Sequence, residues 1–433
     1  MGARAGTADL PLHGGAVPEW LASRMARLGR IVTEAIVHHY GRDAFLERLS
    51  HPFWFQSLGC VMGMDWHSSG ITTSVLGALK RGLRPIEDEL GLYVCGGRGR
   101  HSRATPDELL QVGDRTGLDG AALARTSRLV AKVDSCAVQD GFDLYLHGMI
   151  VGADGQWTVV QQGMNPGLKT ARRYHWRSAG LTDFVDAPHA AIDGEPVGEI
   201  VNLADRRAAA SRRAQLELVA GGPDGIVQVL RKERAAPAAA TVGAQKMLPH
   251  LQMPHHHEVT ESDVVLRRLH GALAAAHERA PVDFAELLLT PGLGARTVQS
   301  LAMVAEVIHG APCRFSDPAR FSLAHGGKDA HPFPVPLKVY DETLTVLRKA
   351  VGSAKLGNEE RLEALRRLDE QSRALEPHVG GPSFEEFVAE EWKQSAGYGG
   401  MTVFGPAKDL PPRPLAVRKP RQAQLALRLP GGR

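Results

Sequence analysis

The sequence has few of the features that define membrane-spanning, secreted or disulfide-bonded proteins. No apolar run reaches the roughly 20 residues that cross a bilayer, and the first residues, MGARAGTADLPLHGG, contain no continuous apolar segment of the kind that directs secretion. The four cysteines are scattered without a CxxC pair, so neither a disulfide framework nor a structural zinc is predicted. These absences predict a cytoplasmic protein with buried free thiols.

The sequence also lacks a large charge of one sign. It has 51 Lys and Arg against 48 Asp and Glu, and the resulting formal charge of +3 does not by itself indicate nucleic-acid binding. The glycine-rich segment GLYVCGGRGR contains neither a GxGxxG dinucleotide fingerprint nor the lysine of a P-loop. The positions of the basic residues therefore matter more than their number.

Length and composition predict two domains and a tail. Residues 1–233 alternate strand-like and helix-like segments, which predicts a mixed α/β N-terminal domain with the catalytic residues. Residues 234–245 are rich in alanine and predict a linker. Amphipathic periodicity predicts an all-α C-terminal domain over 246–405 with a helix-hairpin-helix, and residues 406–433 predict a basic disordered tail.

Local patterns predict individual elements of the first domain. Residues 18–49 have the apolar spacing of a helix that breaks near Gly41. The apolar run 57–64 predicts a strand, followed by a helix that Thr72 or Thr73 caps. Thr105-Pro106 predicts the start of another helix, and Asp154-Gly155 predicts the turn of a β-hairpin.

The segment FAELLLTPGLGARTVQS predicts two packed helices joined by a tight turn. Gly292 and Gly294 allow positive φ angles and a close approach of the backbone to a ligand. The free N–H groups at the start of the second helix favour a phosphate, and Arg296 and Thr297 are placed to contact a nucleic-acid backbone. A glycine turn between packed helices is also compatible with a purely structural role.

This segment resembles the helix-hairpin-helix DNA glycosylase superfamily over roughly residues 262–370. The resemblance implies a helical scaffold that binds DNA without sequence preference, and Lys328 further along is a candidate phosphate contact. Pro336 stands where the glycosylases have a catalytic aspartate, and Arg296 stands where the lyases have a lysine. Both differences disfavour inherited base excision.

Over most of its length the sequence resembles a family of bacterial and archaeal proteins known as domain of unknown function 763. The resemblance is carried by unusual strings spread along the chain: His13-Gly14-Gly15, Trp54-Phe55-Gln56, Asp65-Trp66-His67-Ser68-Ser69-Gly70, Val160-Gln161-Gln162-Gly163-Met164-Asn165, Arg172-Arg173-Tyr174-His175-Trp176 and His325-Gly326-Gly327-Lys328-Asp329. This family implies no particular activity.

Two groups of polar residues in the first domain are candidates for catalysis. Asp65 and His67 follow an apolar run, and a carboxylate and an imidazole at this spacing are suitable ligands for a divalent metal. The predicted hairpin adds Asp143 on one strand, with Gln161 and Gln162 on the other. Asp65, His67 and Asp143 would hold Mg²⁺ or Mn²⁺ while a glutamine orients the attacking water. Solvated or structural roles remain open for all five residues.

Two basic clusters are candidates for phosphate contact and base stacking. The first lies in the glycine-rich loop with Arg98 and Arg100, and the second contains Arg172 and Arg173 beside aromatic residues. Surface clusters paired with acids would have the same composition.

Together these features predict a DNA-processing enzyme that acts on duplex or branched DNA, with a metal-dependent nuclease in DNA repair as the leading hypothesis. A metal-independent glycosylase or lyase and a noncatalytic DNA-binding scaffold are the alternatives. No membrane partner is predicted.

Overall fold

The centre of the structure is an antiparallel sheet with helices on both of its faces. The computed structural model describes residues 10–11, 17, 19–64, 69–235, 266–319, 337–353, 357–375, 392–393, 401–402 and 405–406. The strands, in chain order, are β1 (Leu10–Pro11), β2 (Leu92–Arg98), β3 (Val138–Gln139), β4 (Asp143–Gly152), β5 (Trp157–Asn165), β6 (Thr170–Arg177), β7 (Ala191–Asp193), β8 (Glu199–Asn202), β9 (Arg314–Ser316), β10 (Met401–Thr402) and β11 (Gly405–Pro406).

The main sheet has the strand order β1-β6-β5-β4-β2, and β7 pairs with β6 outside this path. The predicted hairpin is confirmed as β4 and β5, which turn at Gly155 with a φ of 82°. The strand β6 continues the meander, with Tyr174 opposite Gln161. The sequence predicted the hairpin from its turn residues and from the β-branched residues on either side, which are local signals. The strand β6 is rich in charged and aromatic residues and was not predicted.

The helices form two layers, one on each face of the sheet. Their bounds, in chain order, are α1 (Glu19–Tyr40), α2 (Arg42–Leu49), α3 (Pro52–Val61), α4 (Gly70–Leu83), α5 (Glu87–Leu90), α6 (Arg100–Thr116), α7 (Gly120–Lys132), α8 (Ala209–Ala220), α9 (Pro223–Ala235), α10 (Leu266–Arg279), α11 (Phe284–Leu288), α12 (Ala295–His309), α13 (Leu337–Ser353) and α14 (Asn358–Leu375).

Alternate residues of each strand supply the two hydrophobic cores. Leu92 and Val94 of β2 pack into one core with residues of α1 to α4, α13 and α14. Tyr93 and Cys95 pack into the other, with residues of α6 to α12. Because successive side chains of a strand point to opposite faces, a sheet covered on both faces has few exposed positions. All four cysteines are buried and free, as predicted.

Three local predictions were wrong. The helix predicted to be capped by Thr72 or Thr73 is α4, which begins at Gly70 with Ser69 at its N-cap. The strand predicted at 57–64 is the end of α3, whose residues are all buried, so that no polar face distinguishes its pattern from that of a buried strand. The helix predicted to begin at Thr105-Pro106 is α6, which begins at Arg100. Pro106 has no N–H for the Ser102 carbonyl, and the Thr105 hydroxyl donates to that carbonyl at 2.8 Å instead.

The structure does not separate residues 1–233 from 246–405 as compact units. One unit spans Met1–Gly381 and the other Pro382–Arg433. In the first unit, β9 pairs with β8 and α13 packs on α1, so segments from both predicted domains share one sheet and one core. The predicted all-α region thus contributes a strand. The proposed linker from residue 236 onward and the basic tail after 406 lie outside the described residues.

The second unit is described only in part. Met401 pairs with Pro406 and Thr402 with Gly405 in a short antiparallel hairpin. Taken together, the helices and antiparallel strands of the described residues establish a mixed α/β fold class.

Candidate functional site

The turn between α11 and α12 presents the start of a long helix at the surface. We call residues Pro291–Thr297 the α12 corner. Asp283 caps α11 through a hydrogen bond that the Glu286 amide donates at 2.7 Å, and Gly292 turns the chain with a φ of 80°. Both helices pack through the apolar residues predicted for this role, all at most 1% exposed: Leu287, Leu288, Leu293, Val298 and Leu301.

Two side chains hold the carbonyl groups of the α12 corner. Lys132 donates to the carbonyl of Leu293, and the Gln139 amide donates to the carbonyl of Ala295 at 3.0 Å. The N-cap of α12 is Gly294, which has no side chain to cap the helix, and none of the described residues accepts a hydrogen bond from the N–H groups of Gly294 or Ala295. Two carbonyls of the corner are therefore held by side chains of the protein, and two of its N–H groups have no acceptor among the described residues.

The space around the corner is open. Gly292 is exposed and Gly294 is half-buried, and a Cβ built at either glycine would meet no heavy atom within 4 Å. Arg296 is exposed as predicted, whereas Thr297 is only 8% exposed, so its side chain is not presented as a contact. Lys328 lies outside the described residues.

A second basic feature lies at the end of β2. We call Gly97–Arg103 the basic loop. Arg98, Arg100 and Arg103 are exposed, and α6 begins here after Gly99 with no side-chain cap and no acidic residue in its first turn. The guanidinium of Arg98 lies 5.7 Å from the centroid of the Tyr145 ring. Within the described chain, none of these arginines forms an ion pair.

The base of the basic loop is fixed by Lys80 and Glu108. The Lys80 ammonium donates to the Gly96 carbonyl at 2.9 Å, and the Gly96 amide donates to the Glu108 carboxylate at 2.7 Å. Gly96 has a φ of 91°, and a Cβ there would lie 2.2 Å from the His147 carbonyl oxygen. Only glycine fits this close strand crossing.

The second predicted basic cluster is not at the surface. Arg172 and Arg173 of β6 are both 0% exposed. Arg172 pairs with Asp140 and Asp317, each at 2.8 Å, and Arg173 pairs with Asp193 at 2.8 Å. Their prediction as nucleic-acid contacts was wrong, because buried carboxylates from distant segments already bind these guanidinium groups.

The glutamines predicted to act in catalysis are buried as well. Gln162 donates to the Ser69 carbonyl at 3.0 Å and accepts from Thr72. Gln161 accepts from His147 Nδ1 at 2.7 Å and donates to Asp134 at 2.5 Å. Both are 0% exposed, so neither is placed to orient a water molecule at an open site.

Asp134 and His147 form the centre of a buried network that the sequence did not predict. Asp134 accepts hydrogen bonds from Trp176 at 2.9 Å and from His189 at 2.5 Å, besides that from Gln161. Burial lowers the pKa of His147. Its neutral ring donates through Nδ1 to Gln161 and accepts at Nε2 from Ser127, 2.9 Å away. This network fixes α7 and the π-helical turn Val133–Ala137 against the sheet.

Of the three predicted metal ligands, Asp143 lies within the described residues. Asp143 is exposed and lies opposite Met164, three residues along β5 from Gln161, which corresponds to about 10 Å. Asp65 and His67 lie outside the described residues. The described chain contains no group of three potential ligands suitable for a metal ion. Binding of Mg²⁺ or Mn²⁺ by Asp65, His67 and Asp143 therefore stays a prediction.

The residues that shape the α12 corner include two that the sequence did not reveal. Lys132 lies 161 residues from Leu293, and Gln139 lies 156 residues from Ala295. Such contacts have no local signal, and only their position at the end of α7 and in β3 brings them to the corner.

The fold and these sites define a mixed α/β protein in which an antiparallel sheet lies between two helical layers, and in which α6 and α12 begin without a side-chain cap from their N-cap glycines. A family model described as Protein of unknown function (DUF763) matches residues 6–335. The chain belongs to this family, as the sequence resemblance predicted. Searches of curated proteins and of solved structures give no significant match. No described helix is both long and apolar enough to span a membrane.

Proposed function

We propose that this protein binds the sugar-phosphate backbone of duplex or branched DNA, without sequence preference, at the α12 corner. The observation that carries the proposal is the exposed start of α12, where glycines leave open space and the N–H groups of Gly294 and Ala295 have no described acceptor. The helix dipole adds positive potential at the same point. A phosphate oxygen supplies the acceptor that these donors lack.

The hydrogen bonds of Lys132 and Gln139 support this proposal because they give the turn a fixed orientation. If the carbonyls of Leu293 and Ala295 pointed to solvent, they would repel an approaching phosphate. Their donors instead hold them on the protein side. The N–H groups of Gly294 and Ala295 are then the proposed phosphate contacts, and contacts of this kind position a protein on DNA without reading its sequence.

The helix-hairpin-helix resemblance of residues 262–370 agrees with this proposal and remains a prediction. The basic loop is a second candidate contact, because Arg98, Arg100 and Arg103 carry charge that no described carboxylate offsets. Exposed arginines of this kind bind phosphates and release counterions from DNA.

Catalysis is a further prediction. The described residues do not form a catalytic site to which it can be assigned. A metal-dependent nuclease acting in repair, a glycosylase or lyase, and a noncatalytic scaffold all share the proposed DNA-binding step. Binding is the function that we assign to named groups, and Mg²⁺ or Mn²⁺ chemistry is not assigned to any described residue.

The substitution Gly294→Val tests the proposal. The φ of −124° at Gly294 suits any residue, and no atom lies within 4 Å of the added Cβ. The variant should therefore fold normally while its side chain blocks the approach of a phosphate. We expect its affinity for a labelled duplex, measured by fluorescence anisotropy, to fall roughly tenfold, which matches the loss of one charge-assisted hydrogen bond of ~1.5 kcal/mol.

Gly357→Val is the matched control. Gly357 and Gly294 occupy the same position, immediately before a helix. The carbonyl of Gly357 accepts the first hydrogen bond of α14 from the Arg361 amide at 3.0 Å, and the carbonyl of Gly294 accepts that of α12 from the Val298 amide at 3.1 Å. Both positions have open space for a side chain. The first turn of α14 contains Glu359 and Glu360, which disfavour an anion. Equal affinities for the two variants would contradict the proposal.

A further inference from the structure

Helix α7 has a stripe of basic residues beside the α12 corner. Arg125, Arg128 and Lys132 lie at positions i, i+3 and i+7 of α7, so they share one face of the helix. We call these three residues the α7 stripe. None of them belongs to the segments that the sequence patterns predicted to bind DNA.

Both ends of the α7 stripe are attached to the α11–α12 segment. Arg125 Nη2 lies 4.0 Å from Glu286 Oε1 in the first turn of α11. At the other end, Lys132 donates to the Leu293 carbonyl within the α12 corner. The stripe therefore runs alongside the two helices and their turn, and Arg128 lies on α7 between the two residues that contact them.

Arg128 is the middle residue of the stripe, and no described side chain neutralises its charge. It is exposed, and no carboxylate of the described chain forms an ion pair with it. Arg128 lies four residues before Lys132, or about 6 Å along the helix axis. Arg125 offsets the negative charge of Glu286, which would otherwise repel a polyanion here.

We propose that Arg128 contacts a second phosphate of the DNA strand whose first phosphate is bound at the α12 corner. The corner supplies neutral N–H donors and α7 supplies a guanidinium, which binds phosphate through two parallel hydrogen bonds. Lys132 is the positioning residue between them, because its ammonium holds the Leu293 carbonyl. This inference rests on the proposed function and extends the site from α12 to α7.

The variants Arg128→Glu and Arg128→Gln test the inference in the full-length protein. Binding of a labelled 20-base-pair duplex is measured by anisotropy over a series of salt concentrations. We expect Arg128→Glu to lose about tenfold in affinity at low salt. For Arg128→Gln we expect the slope of log affinity against log salt to become shallower by ~0.9, the change for one phosphate contact.

Arg24→Glu is the matched control, because Arg24 is exposed on α1 in the opposite layer and undergoes the same change of charge. We expect it to weaken binding less than twofold. Equal losses for Arg24→Glu and Arg128→Glu would show an effect of net charge alone and overturn the inference. If wild type binds and Gly294→Val weakens binding while both Arg128 variants match wild type, this inference is wrong and the proposed function stands. A wild type that does not bind DNA overturns both.

Discussion

Two segments of this protein are rich in arginine, and the structure places them in opposite environments. The basic loop carries Arg98, Arg100 and Arg103 at the surface, whereas Arg172 and Arg173 of β6 are fully buried. Both segments combine basic residues with glycine or aromatic residues, so composition alone gives them the same interpretation. What separates them is the presence of carboxylates that come from elsewhere in the chain.

The carboxylates that pair with β6 are distant in sequence. Asp140 lies 32 residues from Arg172, and Asp317 lies 145 residues from it. Arg172 donates to both oxygens of Asp317, at 3.0 and 2.8 Å, and this two-point geometry offsets part of the cost of removing the charges from water. Burial raises the pKa of Asp140, while Arg172 lowers it. The arginine and the two carboxylates are therefore interdependent.

The largest expected effect follows from breaking this cluster. Arg172→Ala leaves Asp140 and Asp317 buried without their cation, and loss of one member of a buried ion pair costs about 3–5 kcal/mol. We expect the free energy of unfolding, measured by urea denaturation, to fall by that amount. Combining Arg172→Ala with Asp317→Asn should restore part of the loss, because the second change removes one uncompensated charge. A loss below 1 kcal/mol for Arg172→Ala would contradict this account of β6.

Much of the fold could be predicted from local sequence patterns. The break at Gly41 separates α1 from α2, and the turn at Asp154-Gly155 joins β4 to β5, as expected. Helix α3 was missed because it is buried on all sides and therefore lacks the polar face by which a helix is recognised. The strand β6 was missed because its charged residues, which are typical of exposed segments, are buried in the structure. In both cases tertiary contacts determine the structure.

Less of the candidate site could be predicted. The glycines and leucines of the α12 corner were selected from a short motif, and the structure has α11 at Phe284–Leu288 and α12 at Ala295–His309 with those leucines buried. Their identity as a helix-hairpin-helix stays a prediction. Lys132 and Gln139, which orient the corner, and Arg128, which extends it, come from segments more than 150 residues away. No local pattern links residues at that separation, so only the fold brings them together.

Buried histidines give an intermediate effect that depends on pH. Burial lowers the pKa of His51 to about 4, and it also lowers the pKa values of His147 and His175. The unfolded chain therefore binds more protons than the folded chain below the ordinary histidine pKa of about 6.5. Stability is complete above that pH and falls as the pH decreases toward 4.

The expected slope is at most about 1.4 kcal/mol per pH unit for each histidine. We expect His147→Gln to reduce the slope of unfolding free energy against pH between pH 5 and 6.5, measured by urea denaturation, because the glutamine does not titrate. An unchanged slope for His147→Gln would mean that this histidine does not resist protonation in the folded protein.

Substitutions in the basic loop are expected to have the smallest effect on stability while weakening DNA binding. The triple variant with alanine at Arg98, Arg100 and Arg103 removes three exposed guanidinium groups without ion-pair partners in the described chain. Exposed substitutions of this kind change stability by about 0.5 kcal/mol or less. Affinity for duplex DNA should fall, and the salt slope should decrease by up to ~0.9 for each phosphate that the variant no longer binds. If the triple variant lost as much stability as Arg172→Ala, the arginines of the basic loop would have a structural role like that of Arg172. If it bound DNA with the wild-type salt slope, these arginines would not contact phosphates. Either result would remove the distinction between the two arginine-rich segments.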